Sequence, residues 1–180
     1  MRIRVVFLLF LMSVFTSCDL PQIENPYAPT KQSMANEVTN QAFIQLKMEK
    51  NLFPFGTGSG MMDEIWMLAL AFQYFNLVEI DQARELLMSA GTVFINIINS
   101  KEQIRPFLKN YPFTPKNVEI QIFIKKPNGS RPDSGQLNVV TMKEGILRYK
   151  VRDPDNDLLK IVYEETYEEA AEKLRMAITM

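Results

Sequence analysis

The change in hydrophobic period near residue 116 is the feature that most restricts the fold of this chain. After that point apolar residues alternate with glutamate, glutamine, phenylalanine and lysine, and the alternating apolar positions are Val118, Ile120, Ile122 and Ile124. A period of two is typical of a strand that buries one face. Before that point apolar residues recur every three or four positions, as they do in helices. Helices followed by strands predict an α+β fold.

Residues 116–164 are predicted to hold four strands in a mainly antiparallel meander. Turn-forming residues separate four short apolar runs, which begin at Val118, Leu137, Leu147 and Leu159. After the last run, Thr166 and Glu169 have the spacing of a capping box, in which each side chain caps the other residue's backbone. This spacing predicts a final helix over 166–178.

The preceding segment, residues 33–110, is predicted to be helical. Its first helix covers 33–51, and the glycine-rich stretch 53–60 is predicted to be a loop. The most apolar stretch is 61–78, which polar residues interrupt and acidic residues flank, so it predicts a buried central helix rather than a membrane span. An amphipathic helix over 81–99 would pair with it as an αα-hairpin.

The first 17 residues have the three parts of a secretory signal peptide. Arg2 and Arg4 supply positive charge, and the apolar run after them is too short for a membrane span of about 20 residues. Small residues then precede Cys18. The sequence Phe15-Thr16-Ser17-Cys18 resembles the lipobox of bacterial lipoprotein precursors, although that family usually has leucine where Phe15 stands. The resemblance implies cleavage before Cys18 and acylation of its thiol and new amino group.

This resemblance implies that the protein is located in the bacterial cell envelope. Its first partner would be the lipid bilayer, through acylated Cys18, and its domain would lie outside the cytoplasm. Cys18 is the only cysteine, so none is left for a disulfide. One acyl chain binds a membrane marginally, and two or three anchor it stably. Three prolines in residues 18–32 predict an extended tether after the lipid. Residues 33–180 are predicted to form a single domain.

The composition excludes several kinds of chemistry. The chain has no histidine, which excludes Ser-His-Asp triads, Cys-His pairs and histidine-based zinc sites. Its formal net charge of −1 gives no electrostatic case for binding nucleic acid. No cofactor and no catalytic residue are predicted.

One acidic cluster is a candidate metal site. Its carboxylates alternate along residues 153–157 and resemble the opening of a calcium-binding loop, with Glu164 at the twelfth position. The candidate ligands are Asp153, Asp155, Asp157 and Glu164. The sixth position, where that loop requires glycine, is Leu158. The alternative interpretation is a solvated turn, which Asp, Pro and Asn favour for backbone reasons.

Three functions follow from these observations. The first is a lipid-anchored envelope protein whose domain is a non-catalytic interaction or structural module, with an envelope protein as its second partner. The second is a ligand- or calcium-binding domain that uses the acidic loop 153–157. The third is a carboxylate-dependent hydrolase, which requires two acids that converge in a cleft.

Overall fold

A computed structural model describes residues 29–179, and the α+β class predicted from the sequence is confirmed there. The predicted signal peptide, Cys18 and most of the predicted tether lie outside the described residues. The elements in chain order are α1 Lys31–Lys50, β1 Phe53–Met61, β2 Ile65–Tyr74, α2 Ile80–Ser100, a 3-10 helix Glu102–Phe107, β3 Val118–Ile124, β4 Leu137–Lys143, β5 Ile146–Arg152, β6 Leu159–Thr166 and α3 Tyr167–Thr179. The six strands form one mixed sheet in the order of the chain.

The first helix is confirmed, and its ends have local causes. Thr30 is the N-cap and forms a capping box with Ser33, which satisfies free backbone N–H groups of the first turn. Asn51 ends the helix in the left-handed conformation, which asparagine tolerates better than most residues. The residues between these ends bury one face of the helix.

The predicted loop over 53–60 and the predicted helix over 61–78 are both wrong. These residues form β1 and β2, which pair as an antiparallel hairpin. Leu68, Leu70 and Phe72 are buried at a period of two, while the residues between them are half-buried and mostly apolar. A strand with apolar residues on both faces cannot be distinguished from a buried helix by its periodicity.

The predicted αα-hairpin is therefore a β-α-β unit. The helix predicted over 81–99 is confirmed as α2, but it connects β2 to β3, which pair in parallel. Parallel neighbours require a long crossover, and α2 provides it. The segment predicted to be helical thus contributes two strands, so the sheet has six strands where four were predicted.

The predicted meander and final helix are confirmed. Strands β3 to β6 pair in sequence as antiparallel neighbours. Glu144 and Gly145 both have positive φ in the turn between β4 and β5, which suits a tight hairpin. The Thr166 N–H donates to Glu169 at 2.8 Å, and the Glu169 N–H donates to Thr166 Oγ1 at 3.2 Å, so the capping box forms as predicted.

The helices of the described chain pack on one face of the sheet. A row of directly opposed residues crosses this face from β2 to β5, and its members are Phe72, Ile122, Val140 and Tyr149. Phe43 of α1 meets Phe72 edge-on, with ring centroids 5.3 Å apart. Gly91 of α2 lets that helix approach the side chain of Met142 in β4. No helix within residues 29–179 is long and apolar enough to cross a membrane.

Candidate functional site: the open face of the sheet

On the face of the sheet that turns away from the helices, the length of the side chains differs between the two edges. One row of opposed residues crosses it from β1 to β6, and its members are Gly56, Ala71, Gln121, Thr141, Arg148 and Glu164. Side chains in this row grow from none on β1 to long and charged on β5 and β6. The sheet surface is therefore low at its β1 side and high at its β5 side.

The low side forms a shallow groove of about 470 Å³, which we call the β1–β3 groove. Its floor consists of small residues on β1 and β2, including Gly56, Gly58, Ala69 and Ala71, and its far wall is Gln121 and Phe123 on β3. A Cβ placed on Gly56 would lie 4.0 Å from the Ala71 Cβ, so the backbone there is not crowded. The groove exists because these positions carry almost no side chain.

Aromatic and neutral groups border the β1–β3 groove. The ring of Phe55 is 59% exposed and meets Phe123 at 5.0 Å between centroids. Among the described residues, Glu119 is the one charged residue that lines the groove, and Lys143 of β4 pairs with its carboxylate at 3.1 Å. A largely apolar groove with a few convergent polar groups is typical of a binding surface.

The strand beside this groove, β1, is an edge of the described sheet. Within the part of the chain that the structure describes, β1 pairs only with β2, and none of its nine residues is charged. Proteins usually prevent an edge strand from pairing with other chains by means of charged side chains, proline or bulges. Here Pro54 and two bulges lie towards the ends of the strand and leave Gly56–Gly60 regular. At its far end the indole ring of Trp66 covers Gly60.

A second polar cluster lies on the helix side of the sheet, around Glu165 of β6. Its side chain is 1% exposed. One oxygen accepts from Arg84 Nε at 2.6 Å and from the Tyr149 hydroxyl at 2.6 Å, and the other accepts from Lys173 Nζ at 2.7 Å. Arg84 also pairs with Asp81 on its own helix. The cluster thus joins α2, β5, β6 and α3.

The electrostatics of this cluster favour a permanent charge on Glu165. Burial by itself would raise the pKa of Glu165, but hydrogen bonds from Arg84, Lys173 and Tyr149 outweigh it and lower the pKa. Burial opposes the charge of Arg84, yet its bonds to Glu165 and Asp81 raise its pKa. A carboxylate with three donors and a lowered pKa is a poor general acid or base near neutral pH. Its chemistry fits a structural role.

The predicted acidic cluster forms a turn. The Asp155 N–H donates to Asp153 at 2.9 Å, and the Asp157 carboxylate lies 3.3 Å from Arg152 Nη1. Glu164 lies on β6 and pairs with Arg148 at 2.6 Å. In the described part of the chain, no three acidic, histidine or cysteine residues are grouped to hold a metal ion. The four candidate ligands are therefore not brought together.

Sequence reasoning missed both the β1–β3 groove and the Glu165 cluster. The alternate glycines at 56, 58 and 60 are the one signal for the groove in the sequence, but glycines at this spacing also favour a loop. Arg84 and Glu165 are 81 positions apart, and no local pattern connects them. The predicted lipidation site, Cys18, lies before the first described residue. No protein family, curated protein or solved structure shows significant similarity to this chain.

Proposed function

We propose that this chain is a lipid-anchored bacterial envelope protein whose domain is a non-catalytic interaction module. In this proposal acylated Cys18 holds the protein on the membrane, and the β1–β3 groove binds another envelope protein. The single observation that carries the interaction role is the face of β1, β2 and β3, which no element of residues 29–179 covers and where an apolar groove borders an unpaired sheet edge. The signal peptide pattern and the lipobox resemblance support the membrane address.

The arrangement of carboxylates supports a non-catalytic role over the two alternatives. A hydrolase of this kind requires two acids in one cleft, one with a raised pKa. The buried carboxylate Glu165 has a lowered pKa and donors on both oxygens. Among the described residues, Asp153, Asp155 and Asp157 do not form a group that could hold a metal ion, and Asp157 pairs with Arg152. Neither alternative is favoured by a feature of the described residues.

The anchoring part of the proposal predicts the mass of the mature protein. Protein purified from its native membrane is expected to begin at Cys18 and to carry two or three acyl chains, which are needed for a stable anchor. The Cys18→Ser variant is expected to lack the acyl mass and to leave the membrane fraction. Intact mass spectrometry of both proteins is the measurement. A wild-type chain that begins elsewhere with a free thiol would contradict the anchor.

The interaction part predicts a position-specific crosslink. A photo-crosslinking phenylalanine analogue in place of Phe55, which borders the groove, is expected to form an adduct of one defined mass in intact cells. The same analogue in place of Met48, which is 80% exposed on α1, is the matched control and is expected to form none. The captured protein, once purified, should form the same adduct with the purified chain. An adduct from position 48 alone would refute the β1–β3 groove as the interaction surface.

A further inference from the structure

The edge of β1 determines which kind of molecule the β1–β3 groove fits. Within residues 29–179, β1 has a hydrogen-bonded neighbour on one side only, so the backbone N–H and C=O groups along its outer edge have no strand partner. An extended polypeptide matches such an edge, because its own backbone groups have the same spacing. The opposite edge, β6, carries Lys160 and Glu164, which oppose strand addition.

The glycines of β1 determine what an added strand would place in the groove. Gly56 and Gly58 face the groove, opposite Ala71 and Ala69. Side chains of an added strand would meet no side chain on β1 at these positions and would reach across it to the floor formed by β2. Successive groove-facing side chains in a strand are two residues apart, which matches the spacing of the two glycines. Glycine in a strand often marks the close approach of another backbone or a ligand.

The charges around the groove restrict the occupant further. Strand β1 is uncharged over all nine residues. The carboxylate of Glu119, at the groove margin, is already paired with Lys143. A charged side chain brought into this groove would lose water without gaining an opposite charge, which is unfavourable. The complementary occupant is therefore neutral where it faces the groove.

A second copy of this chain fits poorly as the occupant. If the regular part of β1, Gly56–Gly60, paired with the same segment of another copy, the groove-facing residues of the added strand would again be glycines. The groove would then stay empty, and the pair would gain only backbone hydrogen bonds. Large groove-facing side chains must come from a segment other than β1.

We infer that the β1–β3 groove binds an extended segment of a partner protein by strand addition to β1, with large uncharged apolar side chains at alternate positions of that segment. This inference rests on the proposed function, because it takes the groove as the interaction surface. To the proposed function, the inference adds the conformation of the bound segment and the chemistry of its side chains.

The test uses the full mature chain, in detergent, and a random ten-residue peptide display library as the probe. Selected peptides are expected to carry large apolar residues at every second position and no proline between them. The Gly56→Val variant places a branched side chain in the groove, where the Cβ has room, and is expected to weaken binding of a selected synthetic peptide about tenfold or more. Thr57→Val is the matched control, because Thr57 borders the groove but lies opposite the buried Leu70, so its side chain points to the other face of the sheet. It should leave the affinity within about twofold.

Backbone methylation of the peptide distinguishes strand addition from other binding modes. In an added strand, alternate N–H groups point towards β1 and the others point away. Methylating one alternate set of peptide nitrogens is expected to abolish binding, and methylating the other set is expected to retain it. Equal effects of the two sets, selected peptides without alternation, or no selected peptides would each overturn the inference.

Two further outcomes separate this inference from its premise. If crosslinking at position 55 captures a partner but methylation affects both sets equally, strand addition is wrong while the interaction role stands. If alternating peptides bind and lose affinity in Gly56→Val but no cellular adduct forms, the groove chemistry stands and the proposed cellular role fails. Sedimentation velocity should show a monomer. A dimer that Gly56→Val abolishes would overturn the inference in favour of a second copy.

Discussion

Replacing the buried carboxylate Glu165 by glutamine is expected to lower the free energy of unfolding by about 3–5 kcal/mol, because the buried Arg84 loses its buried ionic partner and keeps only the exposed Asp81. The glutamine side chain has nearly the same shape but replaces one acceptor oxygen with an NH2 donor, so the loss reports charge and hydrogen bonding rather than packing. Chemical denaturation followed by the fluorescence of Trp66, the single tryptophan, measures it. The same change at Glu85, whose pair with Lys50 is on the surface, is the control and should cost less than about 1 kcal/mol. Equal losses at the two positions would contradict the structural role of the cluster.

The same cluster predicts how stability depends on pH. The pKa of Glu165 in the folded protein lies below its ordinary value of 4.5, so the native state holds the proton less tightly than the unfolded chain. Its contribution is therefore fully present above pH 4.5 and is lost as the pH falls through the lower, folded pKa. Denaturation curves between pH 6 and pH 3 should show a shallower decline for Glu165→Gln than for the wild type. Parallel declines would show that Glu165 does not couple folding to protonation.

Truncating Phe72 to alanine is expected to lower the free energy of unfolding by about 3–5 kcal/mol. Phe72 is fully buried on β2 and meets Phe43 of α1, so its removal leaves a cavity between the sheet and that helix. Thermal or chemical denaturation measures the loss. The control is Phe55→Ala on β1, which removes an exposed ring and should cost about 0.5–1.5 kcal/mol through its contact with Phe123. If Phe72→Ala cost no more than Phe55→Ala, the orientation of β2 would be wrong.

The sequence predicted well those elements that bury only one face. α2, β3 and β5 carry mostly polar residues on the side away from the core, so their periods of 3.6 and 2 indicate both the type of element and the buried face. β4 is buried at every position except Lys143, and it was predicted from its apolar run and the turn residues around it. α1 was also found, from its apolar spacing, and both of its ends have local causes. The capping box at Thr166 was predicted correctly because both of its residues lie within one helical turn.

Prediction from the sequence failed where the surroundings of an element decide its structure. β1 is rich in glycine, which by itself favours a loop, and it becomes a strand because β2 supplies a partner backbone. β2 is apolar on both faces, so its sequence resembles that of a buried helix. In the sheet, one of these faces packs under α1 and the other lies along the groove. The β1–β3 groove therefore had no sequence signature beyond three alternate glycines.

The sequence by itself determined the α+β class, the amphipathic elements and the absence of histidine chemistry, and it left the membrane location as a prediction. These depend on composition and on patterns within a few residues. Only the tertiary structure decided the six-stranded order, the open face and the partners of Glu165. Those depend on contacts between residues far apart in the chain, whose pairing is selected by burial and hydrogen bonding across the whole domain rather than by any local preference.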